Sequence, residues 1–133
     1  MTSAIVLVDD EKVILDSLKA QLSGFFHNRY LYETAESVAE AWEIIEELVA
    51  LDTEIIVIVS DWLMPGTKGD EFLVELAAKH PSIRTVLLTG HADARAVRRV
   101  IDEARVDRVI AKPWNADELR AIVESATRES LVS

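Results

Sequence analysis

A chain of 133 residues, half of them hydrophobic, is the size of one domain and carries enough apolar surface for a compact core. Its formal net charge of −10 repels phosphate backbones, which argues against a general nucleic-acid binder, and no apolar run is long enough to span a membrane. With no cysteine, no basic-then-apolar leader and no internal repeat, the expectation is one soluble cytoplasmic domain over residues 1–133.

Short β-branched runs alternate with longer stretches of helical period. Residues 5–8 form the first predicted strand and end in Asp9 and Asp10; Val13, Ile14, Leu18 and Leu22 then recur at steps of three and four, the stripe of an amphipathic helix. Residues 30–34 read as a weaker strand. A helix follows from about Ser37, with Glu40 at its third position as in a capping box and Ala41, Ile44, Ile45 and Leu48 as its inward stripe. Residues 55–59 are apolar throughout, as a central parallel strand covered on both faces requires, and after Ser60 the run closes on Asp61 and the turn Trp62-Leu63-Met64-Pro65-Gly66. Phe72, Leu73, Leu76 and Ala77 mark a third helix, which Pro81 ends. Residues 86–88 form a strand that ends in Thr89 and Gly90. A helix over about 92–104 leads to the strand 109–111, which ends in Lys112 and Pro113. A closing helix then runs from Asn115 or Ala116 to about Arg128, with Leu119, Ile122 and Val123 inward.

Five strand-helix units in alternation define an α/β fold, a three-layer sandwich, because parallel neighbours need crossover helices that cover both faces of the sheet. Ligands of such folds bind at the carboxyl ends of the strands. Asp9, Asp10, Asp61, Thr89 and Lys112 are therefore neighbours in space although they are distant in sequence.

Three carboxylates gathered without a cation repel one another, and a hard divalent ion removes that penalty. Short acidic side chains with no histidine or thiol cluster suit Mg²⁺. Lys112 adds a mobile positive charge that can pair with a carboxylate at rest and with a phosphoryl oxygen on arrival, and Thr89 adds a hydroxyl. Together these groups describe a phosphoryl acceptor in which Asp61 is the nucleophile. Each feature alone has a plainer reading: a solvated Asp-Asp turn, a helix-capping aspartate, a surface lysine. Their recurrence at four strand ends, in order, favours a site.

Asp9-Asp10, Asp61 followed by Trp-Leu-Met-Pro-Gly, Thr89 and Lys112-Pro113 resemble the motifs of the CheY-like receiver domain of two-component response regulators, over nearly the whole chain. The resemblance implies a flavodoxin-like five-stranded sheet in the order 2-1-3-4-5 with five helices. It also implies Mg²⁺ (or Mn²⁺) held by Asp9, Asp10, Asp61 and the backbone carbonyl of Leu63, with Asp61 phosphorylated and Thr89 and Lys112 binding the phosphoryl group. A cis peptide between Lys112 and Pro113 is implied as well. The implied partners are a sensor histidine kinase or phosphotransfer protein, and an output domain or downstream protein met through the face of the fourth helix, fifth strand and fifth helix. A homodimer through that face is an open alternative. Neither nucleic acid nor membrane is an expected partner of this domain, and the resemblance implies a phosphoacceptor that assists its own phosphorylation and dephosphorylation rather than a metabolic enzyme.

Several positions depart from the family pattern. Val109 stands where many receivers carry Tyr or Phe, so the aromatic part of the switch is missing and a muted or differently routed response is expected. This leaves a second reading, a degenerate receiver that serves as a constitutive interaction domain. A third, an aspartyl-phosphate hydrolase, lacks the second aspartate two residues after the nucleophile, where Leu63 stands. Thr67-Lys68-Gly69 replaces the common Met-Asp-Gly without touching the proposed ligands. Leu63 and His91 flank the path of the hydrolytic water in the family; an apolar Leu63 points to slow self-dephosphorylation. Trp114, where Phe is frequent, packs the last turn or meets a partner. Arg95, Arg98, Arg99, Arg105 and Arg108 form either a docking patch or solvated helix pairs with Asp102 and Glu103. The chain is a free-standing receiver or the front of a longer regulator.

Overall fold

The computed structural model describes residues 2–61, 69–90, 98 and 101–132; the side chains of 69, 70 and 127–132 lie outside that description. Its elements are β1 (Ser3–Val8), α1 (Lys12–Phe26), a 3-10 turn (His27–Arg29), β2 (Leu31–Ala35), α2 (Val38–Ala50), β3 (Glu54–Asp61), α3 (Gly69–Lys79), β4 (Arg84–Thr89) and β5 (Arg108–Ala111). Between β4 and β5, Arg98 and residues 101–104 are helical and belong to α4. The last helix, α5, runs over Ala116–Val132.

All strand pairings are parallel, in the order β2-β1-β3-β4-β5. With helices on both faces this is the expected flavodoxin-like three-layer sandwich. Side chains alternate across the sheet with the period of two that a pleat imposes. Val6, Val8, Ile58 and Leu87 pack with Ala41, Ile45 and Leu48 of α2, with Phe72, Leu73 and Leu76 of α3, and with Ala104. On the other face, Ile5, Leu7, Val57, Val59, Val86, Leu88 and Ile110 pack with Leu15, Leu18 and Leu22 of α1 and with Leu119 and Val123 of α5. A register shift between β1 and β3 places Ala4 against Ile55 but Ile5 against Val57. One extra residue in β3 thereby moves Ile55 and Ile56 onto opposite layers from those a regular count gives.

Local chemistry sets the helix boundaries. The Ser37 hydroxyl accepts the Glu40 N–H at 3.1 Å and caps α2, as the sequence pattern implied. Asn115 does the same for α5, its Oδ1 accepting the Asp117 N–H at 2.8 Å. The structure corrects two details of the pattern. Val13 is 73% exposed rather than part of the inward stripe of α1, whose buried residues are Leu15, Leu18, Leu22 and Phe26. The last helix, α5, extends past Arg128 to Val132.

Candidate functional site

The registers bring the polar strand ends together. Val8 pairs with Ser60, so Asp9, just past β1, and Asp61, the last residue of β3, follow side by side at the ends of neighbouring strands. Asp61 in turn pairs with Leu88 and Thr89 with Ala111, which sets Thr89 and Lys112 at the same edge. The Lys112 N–H donates to the Thr89 carbonyl at 2.9 Å and the Asp9 N–H to the Ala35 carbonyl at 3.1 Å, so the sheet pairing fixes the backbone on which these side chains stand.

Asp9 is fully buried, Asp61 nearly so, and Asp10 is exposed at the rim. Each offers a carboxylate oxygen, and the three oxygens lie within 4.8 Å of one another. Lys112 Nζ bridges two of the acids, donating to Asp61 Oδ1 at 2.9 Å and to Asp9 Oδ2 at 3.0 Å. The other Asp9 oxygen accepts the Glu11 N–H at 2.9 Å, where the chain turns into α1. The buried Ser60 hydroxyl donates to the Asp61 carbonyl at 3.2 Å. Thr89 is half-buried at the end of β4.

Burial pushes the Asp9 carboxyl above its ordinary value of 3.8 and the Asp61 charge adds to this, while the Glu11 N–H and the Lys112 ammonium oppose it only in part. Burial also acts on Lys112, favouring the neutral amine, but its hydrogen bonds to Asp61 and Asp9 outweigh that effect and hold it above the ordinary 10.5. The edge thus carries excess negative charge that one lysine does not neutralise. Three oxygen donors without histidine or thiol are a hard donor set, and it fits Mg²⁺ or Mn²⁺.

Of the residues singled out by sequence, Asp9, Asp10, Asp61, Thr89 and Lys112 stand at this edge. Leu63, Trp62, Thr67, Lys68, His91, Arg95 and Arg99 lie outside the described residues, and of Gly69 only the backbone is described. The peptide between Lys112 and Pro113 is cis. Val109 is half-buried and packs against the core layer of α2 and α3. Two partners escaped the sequence reading. The Glu11 N–H is a backbone donor that any residue supplies, and Gln21, which accepts the Trp114 indole N–H at 2.8 Å, is 93 positions away from it.

A doubly wound parallel sheet with an acidic cluster and a lysine at its carboxyl edge defines the class of CheY-like signalling folds. The comparisons with known proteins agree: the response regulator receiver domain model matches residues 5–124. The chain is 32% identical over 124 residues to the hydrogenase transcriptional regulatory protein HoxA of Cupriavidus necator, covering 93% of this chain and 24% of that protein. It is 29% identical over 126 residues to the transcriptional regulatory protein FixJ of Bradyrhizobium diazoefficiens, covering 95% of this chain and 57% of FixJ. Among solved structures, the signal receiver domain of an HD domain-containing protein from Pseudomonas fluorescens Pf-5 superposes with a TM-score of 0.86 at 27% identity, each chain covered in full. The chain belongs to the response regulator receiver domain family. It spans from a quarter to somewhat over half of the two curated relatives named here.

Proposed function

We propose that this receiver accepts a phosphoryl group on Asp61 from the phosphohistidine of a sensor kinase or phosphotransfer protein, or from a small phosphodonor. An Asp61 carboxylate oxygen forms the new bond to phosphorus, the bond to the donor nitrogen or oxygen breaks, and the leaving group keeps the electron pair. Asp9, Asp10 and Asp61, with the Leu63 carbonyl, would hold Mg²⁺ (or Mn²⁺), which when bound supplies positive charge for the phosphoryl oxygens and for the crowded carboxylates. Lys112 exchanges a carboxylate for a phosphoryl oxygen, and the Thr89 hydroxyl donates to another. Positioning of these groups on fixed strand ends supplies most of the rate.

The observation that carries this reading is the Lys112 bridge between Asp9 and Asp61, a charge held at the place where a transferred group would need it. The test is incubation with acetyl phosphate and Mg²⁺ followed by intact-mass measurement. One added phosphoryl group that disappears in Asp61→Asn and without Mg²⁺ is expected; an unmodified wild-type protein would sink the reading.

The same reading makes residues 1–133 one receiver domain that works in the cytoplasm. Its kinase and its downstream partner would bind without help from nucleic acid or membrane, and a homodimer through the α4-β5-α5 face belongs to it. Val109 favours a second reading, a constitutive interaction domain, because a half-buried valine cannot swing between inward and outward poses as an aromatic ring does. Partner affinity measured with and without the phosphoryl group separates the two.

A further inference from the structure

The charge of this chain is concentrated. Nine of its 24 acids and none of its 14 lysines and arginines lie between Tyr30 and Thr67, so that stretch carries nearly all of the net −10. Glu36, Glu40, Glu43, Glu46, Glu47, Asp52 and Glu54 are exposed there. No described residue forms an ion pair with any of them within 4.0 Å; Glu46 is close enough to Lys79 to be felt only through space.

An open groove of about 360 Å³ lies within this acidic stretch, lined by Val49, Thr53, Glu54, Ile55, His80, Ser82 and Ile83. Its walls are the carboxyl end of α2, the start of β3 and the turn after α3, so it sits at the amino ends of the strands, opposite Asp61. Two helix carboxyl termini converge on it and add negative potential. The last turn of α2 has no basic residue, and Lys79, in the last turn of α3, is engaged by Glu75 at 2.8 Å. Val49, in the groove wall, is 52% exposed and Leu51, two residues on, is 67% exposed, two of the four large hydrophobic side chains with substantial exposure among the described residues.

We propose that this groove docks a basic amphipathic segment of a partner protein, with an Arg or Lys stem in the groove and an apolar neighbour on Val49 and Leu51. The chemistry selects that occupant. A long cationic side chain lays its methylenes on Val49 and Ile83 while its head meets Glu54 and the helix ends. Nucleic acid and anionic lipid are repelled by the same field. A second copy of this chain, bringing its Arg98 to Arg108 region, would make a heterologous head-to-tail contact, which shows itself as self-association without peptide. The proposal does not depend on phosphorylation of Asp61, because the groove shares no residue with that edge.

The test uses the whole chain and a synthetic peptide with Leu and Arg at helical spacing, titrated against the isotope-labelled protein and read by amide chemical shifts. A control peptide keeps every Arg and replaces each Leu by Ser. The expected result is shifts confined to residues 46–55 and 80–83, with the control weaker by about tenfold or more. Val49→Asp and the triple change Glu46→Gln, Glu47→Gln, Glu54→Gln each weaken the first peptide by at least about tenfold while acetyl phosphate still modifies Asp61. Both variants change exposed side chains, so folding is preserved and is checked by circular dichroism. Equal binding of both peptides across the whole acidic surface, shifts centred on Asp9 and Asp10, or self-association through the groove without peptide would each overturn the proposal.

Discussion

Asp9 shows how a single residue carries opposing demands. It is fully buried beside a second carboxylate, and its carboxyl is held above the ordinary value, chiefly by burial. A group whose folded pKa is raised in this way binds its proton more tightly in the folded protein than in the unfolded one. Ionised Asp9 therefore costs stability above its folded pKa, and that cost fades as pH falls toward 3.8. In the absence of divalent metal, Asp9→Asn is expected to unfold at higher urea than wild type at neutral pH, with the gap closing on acidification because both side chains are then neutral. Added Mg²⁺ is expected to stabilise wild type and not the variant. Urea titrations across this pH range, with chelator and with Mg²⁺, check both; a variant less stable than wild type at neutral pH in chelator contradicts the account. Lys112 titrates with the opposite sense. Its raised folded pKa gives stability that is complete below 10.5 and is lost as pH rises through the higher folded value. Lys112→Met leaves two crowded carboxylates without their shared donor, so acetyl phosphate should modify Asp61 far more slowly in that variant. The chemical types of these residues were legible in the sequence because each closes an apolar run. That one lysine reaches both Asp9 and Asp61 was not legible, since it depends on a strand register fixed only when β1, β3, β4 and β5 pair.

At the scale of the element, capping chemistry was legible and facing was not. Ser37 followed by Glu40 announced the start of α2, and the Ser37 hydroxyl does accept the Glu40 N–H. Ser37→Ala is expected to cost about 1 kcal/mol, read as a lower urea midpoint with an unchanged slope. In α1, Val13, Ile14 and Leu15 are successive apolar residues, and a helix cannot turn three neighbours inward. The sequence pattern alone does not say which one faces out; packing of Leu15 on the α5 side of the sheet decides it and leaves Val13 in solvent. The link from α1 to the β5-α5 connection was equally hidden. The Trp114 indole N–H donates to Gln21 at 2.8 Å, and the Arg120 guanidinium lies 5.1 Å from the Phe25 ring centre, so the segment that follows Lys112 is tied to α1. Gln21→Leu and Trp114→Phe should each destabilise by about 1 kcal/mol, and the double variant by less than their sum, because both remove the same hydrogen bond. Strict additivity in urea titrations would show that the bond contributes nothing.

Across the whole molecule, the two ends of the sheet are different surfaces. The carboxyl edge holds the acids, Lys112 and Thr89, while the amino edge holds the groove between α2 and α3. Fold class could be read from the alternation of strands and helices because the period of apolar residues reports local geometry. The groove could not, because it forms where two helix ends converge. How a phosphoryl group at one edge would alter the rest depends on what can move. Val109 packs against the core layer of α2 and α3 and lacks the two-pose freedom of a ring. Lys112, by contrast, must leave at least one carboxylate to meet a phosphoryl oxygen, and Trp114 stands two residues away with its bond to Gln21. A response carried by backbone would then enter the segment after Thr89 and the 112–115 connection and leave 46–55 untouched. Amide exchange with Mg²⁺ and beryllofluoride, a phosphoryl mimic, is expected to change in residues 89–104 and 112–115 and to stay constant over α2 and the start of β3. A large change centred on Val109, or one that spreads into the groove, would show that the two edges of the sheet move as one body and that this valine takes over the part of the absent ring.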